Sequence, residues 1–175
     1  MAATLPAVVL EQYEDTKQSI TYYFDSIKSQ ATVVNKYALK SFDEIDLIKK
    51  QRLDELEHIS ALTLLSGMEA MLQDDYSERV IKRKKSVLSR QVRNNFKKLK
   101  IKKNCRPTLD RDIFPIWKEH LAGSDRECII KTIECFQYRH WLAHGRYWVW
   151  KHGKIPQFYE ISVLAELLED VLPKY

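Results

Sequence analysis

The chain has 175 residues, 45% of them hydrophobic and 30% charged, with a net charge of +5, which suits one compact domain over residues 1–175 with a sizeable core. A membrane protein is excluded by its most apolar stretch, Ile59 to Leu72, which is interrupted by Ser60, Thr63, Ser66, Gly67 and Glu69 and falls well short of the ~18 apolar residues a span needs. The opening Met-Ala-Ala-Thr-Leu-Pro has no basic leader, so no secretory signal and a cytoplasmic location are expected.

Only four glycines and five prolines occur and there is no repeat, so the apolar periodicity predicts an all-α bundle of five to six helices. Thr4 and Pro6 open the first helix, with Leu10, Tyr13, Ile20, Phe24 and Ile27 on one face, ending near residue 29. A looser stretch leads to Ser41-Phe42-Asp43-Glu44, a capping box in which the serine and the glutamate satisfy each other's exposed amides. The helix it starts carries Ile45, Ile48, Leu56, Ile59, Leu62, Leu65, Met68 and Leu72 to about Asp74. At that length a break near Ser66-Gly67 is expected.

A third helix is predicted from Ser77 to about Lys98, with Ile81, Leu88, Val92, Phe96 and Leu99 as its apolar stripe. Lys82, Arg83, Arg90, Arg93 and Lys97 fall opposite. Residues 82–103 hold eleven Lys and Arg and no acid, while the whole chain carries only +5. The remainder is therefore net acidic. A face of this kind suits a polyanion such as nucleic acid, and equally describes a solvated helix surface. A short helix over about Leu109 to His120 is ended by Gly123, and Ser124-Asp125-Arg126-Glu127 reads as a second capping box. The helix it opens has Ile129, Ile133 and Phe136 in the core. Tyr147-Trp148-Val149-Trp150 and Phe158-Tyr159 flank Lys151-His152-Gly153-Lys154 as a short hairpin or aromatic loop, and Ser162 begins the last helix.

Three cysteines are an odd number, and Cys128 and Cys135 lie seven apart on one helix, about 10 Å along its axis, too far for a bridge. A reduced compartment with thiols packed as small core residues follows. A zinc site using Cys135, His140 and His144 is the alternative, without the usual ligand spacing; no cofactor is expected.

The stretch Tyr138-Arg139-His140-Trp141-Leu142-Ala143-His144-Gly145 carries the residues with the clearest chemistry. Gly145 can take the left-handed conformation that stops a helix, which places His144 on the last turn. RNA is cut without metal when its 2′-hydroxyl attacks the adjacent phosphate, a reaction needing a base, an acid and a stabiliser of developing charge. Histidine serves as acid or base near neutrality, and arginine's planar fork fits phosphate oxygens. Residues five apart differ by about 140° on a helix, so Arg139 and His144 do not share a face, whereas His140 and His144 do. Unwinding at Gly145, or a two-fold dimer bringing two helix ends together, would overcome this. The competing reading is structural: the histidines line a packed face and Arg139 pairs with a carboxylate such as Glu69.

The block YRHWLAHGRYW resembles the signature of the HEPN superfamily, an arginine, a polar residue, three further residues and a histidine, matched in order by Arg139, His140 and His144. The motif covers about ten residues, while the helical architecture covers most of the chain. Members are all-helical and usually dimeric; many are metal-independent endoribonucleases of toxin–antitoxin, phage-defence or RNA-processing systems, and others are inactive binding modules. The resemblance implies catalytic Arg139 and His144, with His140 orienting them or touching phosphate. It implies a homodimer acting on RNA, with an antitoxin or nucleotidyltransferase as a further partner, or alternatively an inactive regulatory module in a two-component complex. Some members carry a modifiable tyrosine two residues after the histidine; here that position is Arg146, with Tyr147 one further on. Arg146 lies seven residues after Arg139 and would add a second phosphate contact if the helix continued that far. Tyr147 joins Arg146 and the basic residues Lys82, Arg83, Arg90, Arg93 and Lys97 as the candidate substrate-binding set.

Overall fold

The computed structural model describes residues 6–29, 35–82, 85–101, 106–146 and 149–174. Thr4, Arg83, Cys105, Tyr147 and Trp148 lie outside them. Among the described residues there are six α-helices and no strand: α1 (Pro6–Lys28), α2 (Phe42–Ile81), α3 (Val87–Ile101), α4 (Phe114–His120), α5 (Gly123–Ala143) and α6 (Phe158–Val171). A π-helical turn, Leu109–Ile113, leads directly into α4, so the predicted short helix is present as two joined pieces. No described helix is long and apolar enough to cross a membrane.

Helix α2 is the axis of the bundle. It starts at the predicted capping box, where the Ser41 hydroxyl accepts from the Glu44 amide and the Glu44 carboxylate accepts from the Ser41 amide at 2.8 Å. Those hydrogen bonds hold the Glu44 carboxyl below its ordinary range. At 40 residues it spans about 60 Å and overhangs the main core. The overhang pairs with the end of α1 through Lys28–Asp46 and Lys49–Asp25 bridges, around a small core of its own made by Phe24, Tyr37 and Ile45.

The expected break at Ser66-Gly67 does not occur, and α2 passes through it. Leu64, Leu65, Met68 and Leu72 are buried on either side, and α5 and α6 pack on this part of the helix. Burial of that order outweighs the ~1 kcal/mol a helical glycine costs. The helix also runs past Asp74 to Ile81, so residues 77–81 belong to α2 and not to α3. Ile81 is exposed there, and it is Ser86, not Ser77, that caps α3, accepting from the Ser89 amide at 3.2 Å. Leu88 and Val92 form the buried part of the predicted stripe, while Phe96 stays exposed.

Arg79 holds this corner together. It is fully buried, bidentate to Asp75 at 2.6 and 2.8 Å, and donates to the Leu172 carbonyl and the Ser89 hydroxyl. Its guanidinium also lies 4.8 Å from the Trp117 ring centre. It therefore fixes α2 to α3, α4 and the carboxyl-terminal turn, and does not belong to the basic surface.

Two further starts differ from expectation. Helix α5 begins at Gly123, with φ +55°, and has no side-chain cap. Ser124 is thus already inside the first turn, where its hydroxyl cannot act as a cap. Helix α6 begins at Phe158, four residues before Ser162, because Gln157 and Glu160 form a reciprocal cap and the Phe158 amide donates to Glu57 of α2 at 3.1 Å. The segment before it is a loop in which the Trp150 indole donates to the Gly153 carbonyl at 2.9 Å; Gly153 has φ +79°.

Candidate active site

Helix α5 carries the motif across the centre of the bundle and ends where the glycine predicts. His144 is its last half-helical residue, and Gly145 takes φ +70°. The Gly145 amide donates to Leu142 at 3.0 Å and the Arg146 amide to Trp141 at 3.1 Å, the paired closure that satisfies the last carbonyls of a helix. The helix end is therefore closed, not frayed, and His144 keeps its helical relation to His140. Their rings lie 4.3 Å apart at 62°. Alanine at 145 would have to adopt the same left-handed backbone, so Gly145→Ala is expected to cost about 1 kcal/mol, read as a lower urea midpoint, and to loosen the turn that seats His144.

Tyr138 and Trp141 point the other way, into the core, with rings stacked 5.8 Å apart. Burial and the nearby Glu57 carboxylate push the Tyr138 phenol up to about 12, which leaves it neutral and unsuited to act as a base near pH 7. Arg139 leaves α5 on the adjacent side and meets Glu69 of α2, Nη2 to Oε2, at 2.5 Å. Both side chains are about one-third exposed. Glu69 is the carboxylate offered as an example for the structural reading of Arg139, and that pair is observed. The Arg139 Nε is buried and has no hydrogen-bond partner among the described residues.

Arg139 and His140 together line a cleft of about 680 Å³. Glu69 and Gln73 of α2 form one wall, the turn at Thr108 and Asp110 another, and the Trp150–His152 loop a third. His144 stands at its edge, against His140, and is not one of the lining residues. A single chain thus brings Arg139 and His140 into one site and leaves His144 beside it. Trp150 and His152 were not picked out as site residues in the sequence; their only signal was the aromatic loop that holds them.

The basic residues divide. Arg90 and Lys97 are exposed on α3. Arg93 is half-buried, its guanidinium donating to the Arg79 carbonyl at 3.4 Å. Lys82 caps the end of α2 and pairs with Glu78 at 2.9 Å, so it is not on α3 at all. Helix α3 reaches the turn beside the cleft through Asn95, whose amide donates to Asp112 at 3.3 Å; Asp112 in turn accepts from the backbone amide of Thr108, a lining residue, at 2.8 Å.

Arg146 does not extend the site as a second phosphate contact. The helix stops three residues earlier, Arg146 takes φ +60°, and its guanidinium turns to α2. There it grips both oxygens of Glu55, at 2.9 and 3.2 Å, and lies 3.1 Å from Nδ1 of His58. Its role in this chain is to pin the segment after the motif.

Cys128 and Cys135 are both buried and unbridged. Burial raises the Cys135 thiol to about 11, so it stays protonated near neutrality and is a poor metal ligand or nucleophile. Among the described residues no three His, Cys, Asp or Glu side chains gather to hold a metal. No family model, curated protein or solved structure matches this chain.

Proposed function

We propose that the protein is a metal-independent endoribonuclease of HEPN type that works as a homodimer. The observation that carries this reading is the cleft: Arg139 and His140 line it, and His144, at a closed helix end, lies against His140 with ring centres 4.3 Å apart. In the reaction the RNA 2′-oxygen attacks phosphorus and the bond to the 5′-oxygen breaks. One histidine takes the 2′-hydroxyl proton and another protonates the leaving oxygen. Arg139 stabilises the charge growing on the non-bridging oxygens. Glu69 orients the guanidinium, and a phosphate takes up the donors that Glu69 leaves over. Because His144 and Arg139 do not share a face, a second copy placing its own helix end at the cleft supplies the missing histidine. Arg90 and Lys97 on the neighbouring α3 provide the cationic approach for the strand.

The test is incubation of single-stranded RNA with the protein in excess chelator. Products with 2′,3′-cyclic phosphate and 5′-hydroxyl ends, with DNA of the same sequence left intact, are expected. A folded dimer that cuts none of a varied set of RNAs would overturn the enzymatic reading.

The Arg139–Glu69 ion pair favours a second reading, in which the motif is structural and the protein is a binding module. In that case charge reversal at Arg90 and Lys97 abolishes RNA binding while His144→Ala changes nothing. Glu69→Gln separates the two readings as well. If Glu69 positions a catalytic arginine, this variant binds an uncleavable RNA several-fold more tightly, having lost a negative charge, yet turns over about tenfold more slowly. Under the structural reading only stability changes.

A further inference from the structure

Beside the cleft lies a second cavity of about 700 Å³, between α5, α6 and the 149–157 loop. The two share Gln137, Trp150 and His152 as lining residues. A ligand held at Arg139 and His140 therefore has a direct neighbour in this cavity. Its inner surface is apolar, made by Cys135 and Leu164, with Val163 and Leu167 of α6 exposed at its side. Its rim is polar and carries both signs, including a Lys154–Glu160 bridge of 2.9 Å. Two rings are already in place. The Trp150 indole is tied to the Gly153 carbonyl and packs against Tyr138 and Trp141, and the His152 ring lies 5.0 Å from it.

An apolar inner surface, a fixed indole, an exposed imidazole beside it and an exposed amide at Gln137 suit a flat, weakly charged heterocycle with a hydrogen-bonding edge. A strongly acidic or basic peptide would find no net charge to meet on a rim of mixed sign. Rings held in place before binding reduce the ordering cost of stacking. We propose that this cavity is a nucleobase subsite, taking the base that flanks the phosphate bound at Arg139 and His140. The base packs on Trp150 and His152, and the Gln137 amide reads its edge. This inference rests on the RNA reading of the cleft and adds the residues that select the base beside the cut.

The experiment uses the full chain and two dye-labelled 2′-O-methyl single strands of equal length, one with bases and one abasic, neither of which can be cut by 2′-attack. Fluorescence anisotropy is expected to show the base-bearing strand binding at least about tenfold more tightly. Val163→Trp, which fills the cavity from an exposed position on α6, removes most of that difference, and Arg139→Ala weakens both strands. Equal binding of the two strands, no binding of either, or a difference that survives Val163→Trp overturns the subsite. If base dependence behaves as expected but no natural RNA is cut, the nuclease reading fails and the subsite stands. If RNA is cut without regard to base or to Val163→Trp, the subsite alone fails.

Discussion

Replacing His144 with alanine is expected to lower the rate of RNA cleavage by about 10²–10⁴-fold, the range that a positioned acid or base contributes, with affinity for an uncleavable strand nearly unchanged. His144 lies against His140 but does not line the cleft, so its removal is expected to take away proton transfer more than contact. Arg139→Ala is expected to reduce both rate and affinity, because that guanidinium lines the cleft and, in the proposed reaction, meets phosphate in the ground state as well. Arg139→Lys should recover affinity better than rate, since an ammonium keeps the charge but loses the planar fork. Single-turnover rates in chelator, set beside anisotropy with a 2′-O-methyl strand, separate the two effects. A His144→Ala protein that cuts RNA at the wild-type rate would remove this residue from the chemistry.

Asp75→Ala is expected to destabilise the fold by about 3–5 kcal/mol, the cost of leaving a buried charge without its partner. Arg79 has no solvent contact and donates two of its hydrogen bonds to Asp75; the Leu172 carbonyl and Ser89 hydroxyl that remain are neutral acceptors. The double variant Asp75→Ala/Arg79→Met removes the stranded charge and should be less destabilised than the two single variants summed. Urea unfolding followed by circular dichroism measures all four proteins. A loss below 1 kcal/mol for Asp75→Ala would show that the pair is not what secures α2 to α3 and the carboxyl terminus.

Local rules carried the helices and left their junctions open. The Ser41–Glu44 box and the Gly145 stop are contained within a few residues, and both form as the spacing predicts. Ser124 does not cap α5 because the helix begins two residues earlier than that box requires, with Ala122 in the cap position and Gly123 at φ +55°. The sequence carries no sign of the role of Arg79 because three of its partners, Trp117, Ser89 and the Leu172 carbonyl, come from other elements, the last 93 residues away. Ser66-Gly67 reads as a break because the packing of α5 and α6 that stiffens it is equally remote.

The candidate site divides in the same way. The edge-on His140–His144 contact follows from their spacing of four on α5, whereas the Arg139–Glu69 pair depends on how α5 packs against α2. The fate of Arg146 depends on a backbone at φ +60° and on Glu55, more than 90 positions before it. The contribution of Trp150 and His152 depends on the shape of a loop, for which no periodicity exists to read.

In the proposed enzyme two copies of the helix end complete one catalytic site, which subunit mixing can test. Wild-type and His144→Ala chains are combined in equal amounts, allowed to exchange, and assayed for RNA cleavage in chelator at constant total protein. If both copies of His144 are required, only wild-type pairs are active and cleavage falls to about one quarter of the unmixed wild-type value. A fall to only about one half, with no activity recovered when Arg139→Ala and His144→Ala chains are mixed, means that each chain acts alone and contradicts the shared site.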